Sequence, residues 1–183
     1  MTKTSSEGTG CVVVTIGHST RTLETFISLL QTYEVKQVVD VRTVPGSRRN
    51  PQFNRETLPH DLNATGIDYL HMPGLGGLRR PRPDSTNTGW RHASFRGFAD
   101  YMETPEFENH LGKLIELAQR KRAALMCAEA LPWRCHRSLI ADALEVRGIR
   151  VAHILSSTDL QPHRVCPFAR VAGTHLFYPL EKP

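Results

Sequence analysis

The sequence predicts an α/β fold, a single domain with a mainly parallel sheet flanked by helices. Three observations predict it. Short aliphatic and β-branched runs alternate with segments of helical periodicity, the pattern of parallel strands joined by helical crossovers. Polar and reactive residues gather just after the strands, where open α/β sheets hold their ligands. The length, 183 residues, fits one domain that buries roughly 65–70% of its unfolded surface and needs no disulfide staples. With 39% hydrophobic and 22% charged residues, the composition excludes a disordered chain, a coiled coil and a collagen-like repeat.

The elements follow in order. Val12–Ile16 is a β-branched run ended by Gly17 and reads as a buried strand. Thr22 caps a helix with Glu24 in its first turn, and Leu23, Phe26, Ile27, Leu30 and Tyr33 recur at helical spacing. Gln37–Val41 is a second strand with Asp40 near its end, and Thr43–Phe53, with two prolines, a glycine and Arg48-Arg49, is a loop. Asn54 is expected to cap a helix that runs to about Thr65, kinks at Pro59 and is closed by Gly66. Ile67–Met72 is a third strand. Pro73–Ser94 lacks any apolar period and is dense in Gly, Pro and Arg, which predicts a long active-site loop. Phe95–Met102 is a short helix, and Thr104-Pro105-Glu106 starts another that ends at the basic run Arg120–Arg122. Ala123–Cys127 is a fourth strand, Arg137–Val146 a helix closed by Gly148, and Arg150–Ile154 a fifth strand. The domain is thus expected over 11–154, with 1–10 a disordered N-terminus and 155–183 a tail that wraps the domain or adds an edge strand.

Charge is unevenly placed. The chain carries +5, and Arg42–Arg96 alone holds nine Arg against four acids, so the whole excess sits in one loop-rich segment. A GC-rich genome explains an Arg-rich chain but not that localisation; a basic patch facing an anionic small molecule or nucleic acid does. The longest apolar run, Cys11–Ile16, is far shorter than the ~18 residues of a membrane span. No basic region followed by an apolar stretch opens the sequence, so a cytoplasmic protein without membrane contact is expected. Four Cys then read as thiols, metal ligands or catalytic groups.

The densest chemistry lies between Cys127 and Arg137. Cys127 ends a strand, and Cys135-His136 begins the next helix, where helix amides with Arg134 and Arg137 favour a thiolate and an anion cradle. The plain alternative is a cysteine used as a small buried hydrophobe. A cysteine phosphatase loop needs Arg six positions after its Cys; here that residue is Trp133, and Arg134 comes one late. A thioredoxin-type pair has two residues between its cysteines, against seven here. Cys127, Cys135 and His136, with His18 or His71, have the donor types for a transition metal such as Zn or Fe, at a spacing that matches no common structural zinc site. His18 after the first strand is a candidate general acid/base, Glu129 a second carboxylate for proton transfer, and Asp40-x-Arg42 an ion pair fixing a loop or part of an anion site. Trp90 and Trp133 can stack on a ligand ring or plug the core, while Cys11 and Cys166 lie apart from the cluster.

TIGHST at 15–20, VVDVRTVPGSRRNPQF at 38–53, LGG at 75–77 and MCAE…CHR at 126–137 together resemble the bacterial and archaeal domain-of-unknown-function family numbered 488. The resemblance covers about Val13 to Ile154 and leaves the tail aside. It implies an α/β fold and singles out His18, Asp40, Arg42, Ser47, Arg48, Cys127, Glu129, Cys135, His136 and Arg137. Combined, the two lines of reading predict an enzyme, a thiol- or metal-dependent transferase or hydrolase. Cys127, Cys135, His18 and Glu129 are its catalytic candidates. Arg42, Ser47, Arg48 and Arg137 would hold a phosphate-bearing substrate, nucleotide or nucleic acid included. The alternatives are a metal-binding or thiol redox sensor, and a nucleic-acid-binding module without catalysis.

Overall fold

A computed structural model describes residues 12–180, so Cys11 and the segment 1–10 lie outside the described residues. Strands β1 (Val12–Gly17), β2 (Gln37–Asp40), β3 (Asp68–His71), β4 (Ala123–Cys127) and β5 (Arg150–Ile154) run parallel, and β6 (Leu160–Pro162) adds an antiparallel edge. The sheet order is β3-β2-β4-β1-β5-β6. A separate ribbon pairs β7 (Arg170–Ala172) with β8 (His175–Phe177).

The period of two along each strand divides the core between two faces. Val14, Ile16, Val38, Ala124 and Met126 face α1 (Leu23–Thr32) and α2 (Leu58–Ala64), where Phe26, Leu30, Leu58 and Leu62 are buried. Val13, Val39, Leu125 and Val151 face the other way. There they meet α3 (Ala93–Met102), α4 (Pro105–Arg120) and α5 (Arg137–Glu145) through Phe98, Phe107, Leu111, Leu139 and Ile140. Thr22 and Thr104 cap α1 and α4 as expected, each hydroxyl accepting the amide three residues on.

The helix expected from Asn54 starts later, at Leu58. Asn54 is spent elsewhere, its side-chain oxygen accepting the Ser47 amide at 2.6 Å, and Pro59 sits in the first turn of α2, where its missing N–H costs nothing. The loop after β3 is held from within. Asn87, fully buried, donates to Asp100 and Glu103 at 2.8 Å each and accepts the Tyr178 amide, so residues 176–180 strap this loop onto α3.

Candidate functional site

β1 and β4 are neighbours, with Gly17 opposite Cys127, and the chain leaves them for opposite faces of the sheet, toward α1 and α5. That divergence opens a crevice at their carboxyl ends, the usual ligand position in such sheets. The two strand-end loops are stitched together by His18 N–H to Cys127 O (3.0 Å) and Ser19 N–H to Ala128 O (2.9 Å). Gly17 permits the crossing: a Cβ there would lie 1.9 Å from the Glu129 carbonyl oxygen.

The sulfurs of Cys127 and Cys135 and a ring nitrogen of His136 lie within 4.8 Å of one another. Arg137, 1% exposed, donates Nε–H to Cys135 Sγ at 3.3 Å and Nη2–H to the Glu129 carbonyl. Among the described residues no carboxylate pairs with this buried guanidinium. His136 Nε2–H donates to the Val41 carbonyl at 3.1 Å, which leaves Nδ1 facing Cys135 Sγ at 3.7 Å. Of the two thiols, Cys135 is the one whose surroundings favour loss of its proton. The hydrogen bond from Cys127 holds its thiol far below the usual range, and His136 and Arg137 add to this against the cost of burial. Cys127, which donates that bond and is half-buried, is pushed up.

The other predicted residues divide between this centre and its surroundings. Arg42 sits at the same sheet edge but not as a free anion grip. Its Nε and Nη2 donate to the two Asp40 carboxylate oxygens at 2.9 and 2.6 Å, Nη2 also to Phe53 O, and Nη1 to His18 Nε2 at 3.2 Å. Tyr69 completes the group by donating to Asp40 at 2.7 Å. His18 stacks on Phe53 with centroids 4.3 Å apart and donates Nδ1–H to Ser19 O, so both ring nitrogens are engaged. Burial pushes its pKa down to about 4, and it stands as a neutral positioning group outside the sulfur cluster. Ser47 turns its hydroxyl to the amides of Arg49 and Asn50, and Arg48 is exposed on that loop. Glu129 is exposed and accepts the Leu131 amide; His71 donates to Arg42 O at 2.8 Å rather than joining the cysteines.

A cavity of about 530 Å³ opens above the sulfurs, lined by Arg42, Val44, Gly77, Leu78, Phe95, Glu129, Arg134 and the cysteines. An adjoining hollow of about 370 Å³ holds His18, Ser19 and Ser47, with Arg42, Val44 and Ala128 common to both. The Leu75-Gly76-Gly77 motif has a steric reason: a Cβ on Gly77 would lie 2.4 Å from His136 Nδ1. The donor set Cys127, Cys135 and His136 also matches three corners of a tetrahedral ion, whose ligand atoms stand ~3.5–4 Å apart.

Sequence reasoning did not find a second cluster, on the far side of α5. There Thr15 Oγ1 lies 2.7 Å from His153 Nδ1, His153 Nε2 2.9 Å from His163 Nδ1, and His163 Nε2 2.7 Å from Asp142. Tyr178 OH and the Cys166 amide also donate to Asp142. His153, His163 and Asp142 line a cavity of about 480 Å³ with Trp90, Trp133 and Cys166. Burial holds His153 neutral, its pKa pushed down to about 3, and raises the Cys166 thiol to about 11. Trp90 packs against Phe95, Phe168 and Tyr178, whereas Trp133 is largely exposed. The four residues of this chain come from four elements and share no spacing a sequence could display.

Among the described residues no helix is long and apolar enough to cross a membrane. No curated protein and no solved structure matches the chain. A family model described as Domain of unknown function DUF488 does match, over residues 22–144, which takes in Arg42, Gly77 and the whole Cys127–Arg137 segment but neither His18 nor the histidine pair. That span is about two thirds of the sequence, and the chain belongs to the DUF488 family.

Proposed function

We propose that the chain is a thiol-dependent enzyme in which Cys135 is the nucleophile and Cys127 its proton donor and partner thiol. One observation carries this reading. Arg137 is buried with no carboxylate partner among the described residues and directs Nε–H at Cys135 Sγ. A guanidinium stays charged in proteins, and a buried charge requires a counter-charge; a Cys135 thiolate supplies it. His136, oriented by the Val41 carbonyl, faces the same sulfur with Nδ1 at 3.7 Å and lines the cavity above it. In the step this geometry supports, Cys135 Sγ bonds to an electrophilic centre and the leaving group departs with the Cys127 proton. Cys127 is then the thiolate.

The phosphate-binding form of this function has less support, because Arg42, and Arg137 through Nε and Nη2, already have protein partners. A second reading, metal binding by Cys127, Cys135 and His136, is favoured by the bond from His136 Nε2 to Val41 O, which leaves Nδ1 free as a ligand. Site-resolved alkylation with iodoacetamide at pH 7 separates the two. The thiolate reading expects Cys135 to react at least tenfold faster than Cys166, although Cys135 is only 5% exposed. An inert Cys135 in protein that carries stoichiometric zinc or iron moves the function to the metal; an inert Cys135 without metal makes both cysteines packing residues.

A further inference from the structure

We infer that the substrate of the cysteine site presents an uncharged, apolar group to Cys135, and that Val44 and Leu78 select for it. The inference rests on the thiolate reading above and goes beyond it by naming the substrate class. Val44 follows β2 and Leu78 follows β3, each within an Arg-rich loop, and they are 72% and 77% exposed. Both line the cavity over the sulfurs, with the half-buried Phe95 beside them. Single exposed aliphatic residues are ordinary on a protein surface; two from separate loops at one cavity mouth, next to an aromatic ring, form a patch.

The charges of this cavity point the same way. Arg42 is neutralised by Asp40, Arg137 by the Cys135 thiolate, and Glu129 and Arg134 bring one exposed charge of each sign to the wall. No net charge is left to attract an anion, despite the +5 of the whole chain. The electrophile that fits is small and neutral, with an aliphatic or aromatic substituent to cover Val44, Leu78 and Phe95.

The test uses the full chain and site-resolved alkylation of Cys135 with N-phenylmaleimide, N-ethylmaleimide, iodoacetamide and iodoacetate. In the maleimide reactions a C–S bond forms while the C=C pair becomes a C–H bond, with the proton taken from the Cys127 thiol. The phenyl-to-ethyl rate ratio is expected to exceed the ratio measured for glutathione by at least tenfold. Iodoacetamide should be preferred over iodoacetate at least as strongly as glutathione prefers it. Leu78→Ser and Val44→Ser, both at exposed positions where substitution leaves folding intact, should each lower the phenyl-to-ethyl ratio threefold or more. A wild-type ratio equal to that of glutathione, or a ratio that neither variant changes, overturns the inference while leaving a reactive thiolate in place. Preference for iodoacetate overturns it in favour of an anionic substrate. If Cys135 reacts with none of the four reagents, the thiolate reading itself fails and takes this inference with it.

Discussion

The two polar clusters on either side of the Cys135-to-Asp142 stretch are built from similar parts and end in opposite states. In the histidine cluster every group has a partner of the right kind. Thr15 donates to His153, His153 to His163, and His163 to Asp142, whose oxygens also receive Tyr178 OH and the Cys166 amide. Such a closed chain is stable because its own members leave nothing unsatisfied, although Trp90 Nε1 in the wall of the same cavity is buried without a partner. In the cysteine cluster the chain is left open: a buried cation, Arg137, is balanced only by a sulfur that also borders a cavity. Satisfied polar networks hold a fold together, whereas a buried charge without a carboxylate, set beside reactive groups, is the kind of arrangement that clusters at functional sites.

The comparison breaks most visibly at Arg137. Arg137→Met leaves the thiolate uncompensated and should cost about 3–5 kcal/mol in denaturant unfolding, with Cys135 alkylation at pH 7 slowed at least tenfold. Arg137→Lys, which keeps the charge, should recover part of both. Asp142→Asn should cost about 1–3 kcal/mol while Cys135 alkylation stays within twofold of wild type. Equal slowing by the Arg137→Met and Asp142→Asn variants would join the two clusters into one working unit.

Acid tests the histidine cluster through His153, with His18 of the hollow beside the cysteine site as the second buried histidine. His18 and His153 are held at about 4 and about 3, below the 6.5 of the unfolded chain, so the unfolded state takes up protons first. Stability is therefore complete above pH 6.5 and lost as the pH falls toward 4, by up to about 2.7 kcal/mol per pH unit from the two histidines together. Urea titrations across this range should show His153→Gln removing about half of the slope. An unchanged slope would mean that His153 is protonated in the folded protein.

The smallest effect concerns anions. With Arg42 and Arg137 engaged, ten-millimolar phosphate should raise the melting temperature by less than about 1 °C. A shift of several degrees that Arg134→Gln abolishes would restore a phosphate-binding site at the cavity.

Much of the fold is legible in the sequence, because strands β1, β2, β4 and β5 are short apolar runs and Thr22 and Thr104 are unambiguous caps. The crevice is legible too, since carboxyl-end residues of parallel strands must share an edge. What the sequence does not show is which arginines are already spoken for. For Arg42 the sequence leaves open an ion pair with Asp40 or a place in an anion site; it is locked to that carboxylate, while Arg48 faces water. The helix expected from Asn54 fails for a related reason, since its cap residue is recruited by the Ser47 amide from the loop before it.

The strap formed by residues 176–180 carries a consequence for biosynthesis. Tyr178 N–H is bound by Asn87, Gly89 N–H binds Tyr178 O, and Leu180 N–H binds Thr88, so the loop leading into α3 is fastened by residues made about ninety positions later. The five parallel strands and both cysteines of the site all come before residue 155. The segment carrying Ser94 and Phe95, one wall of the cavity over the cysteines, gains these three bonds only after residue 180 has been made. Until then Cys135 lies beside a wall that these three bonds do not yet hold.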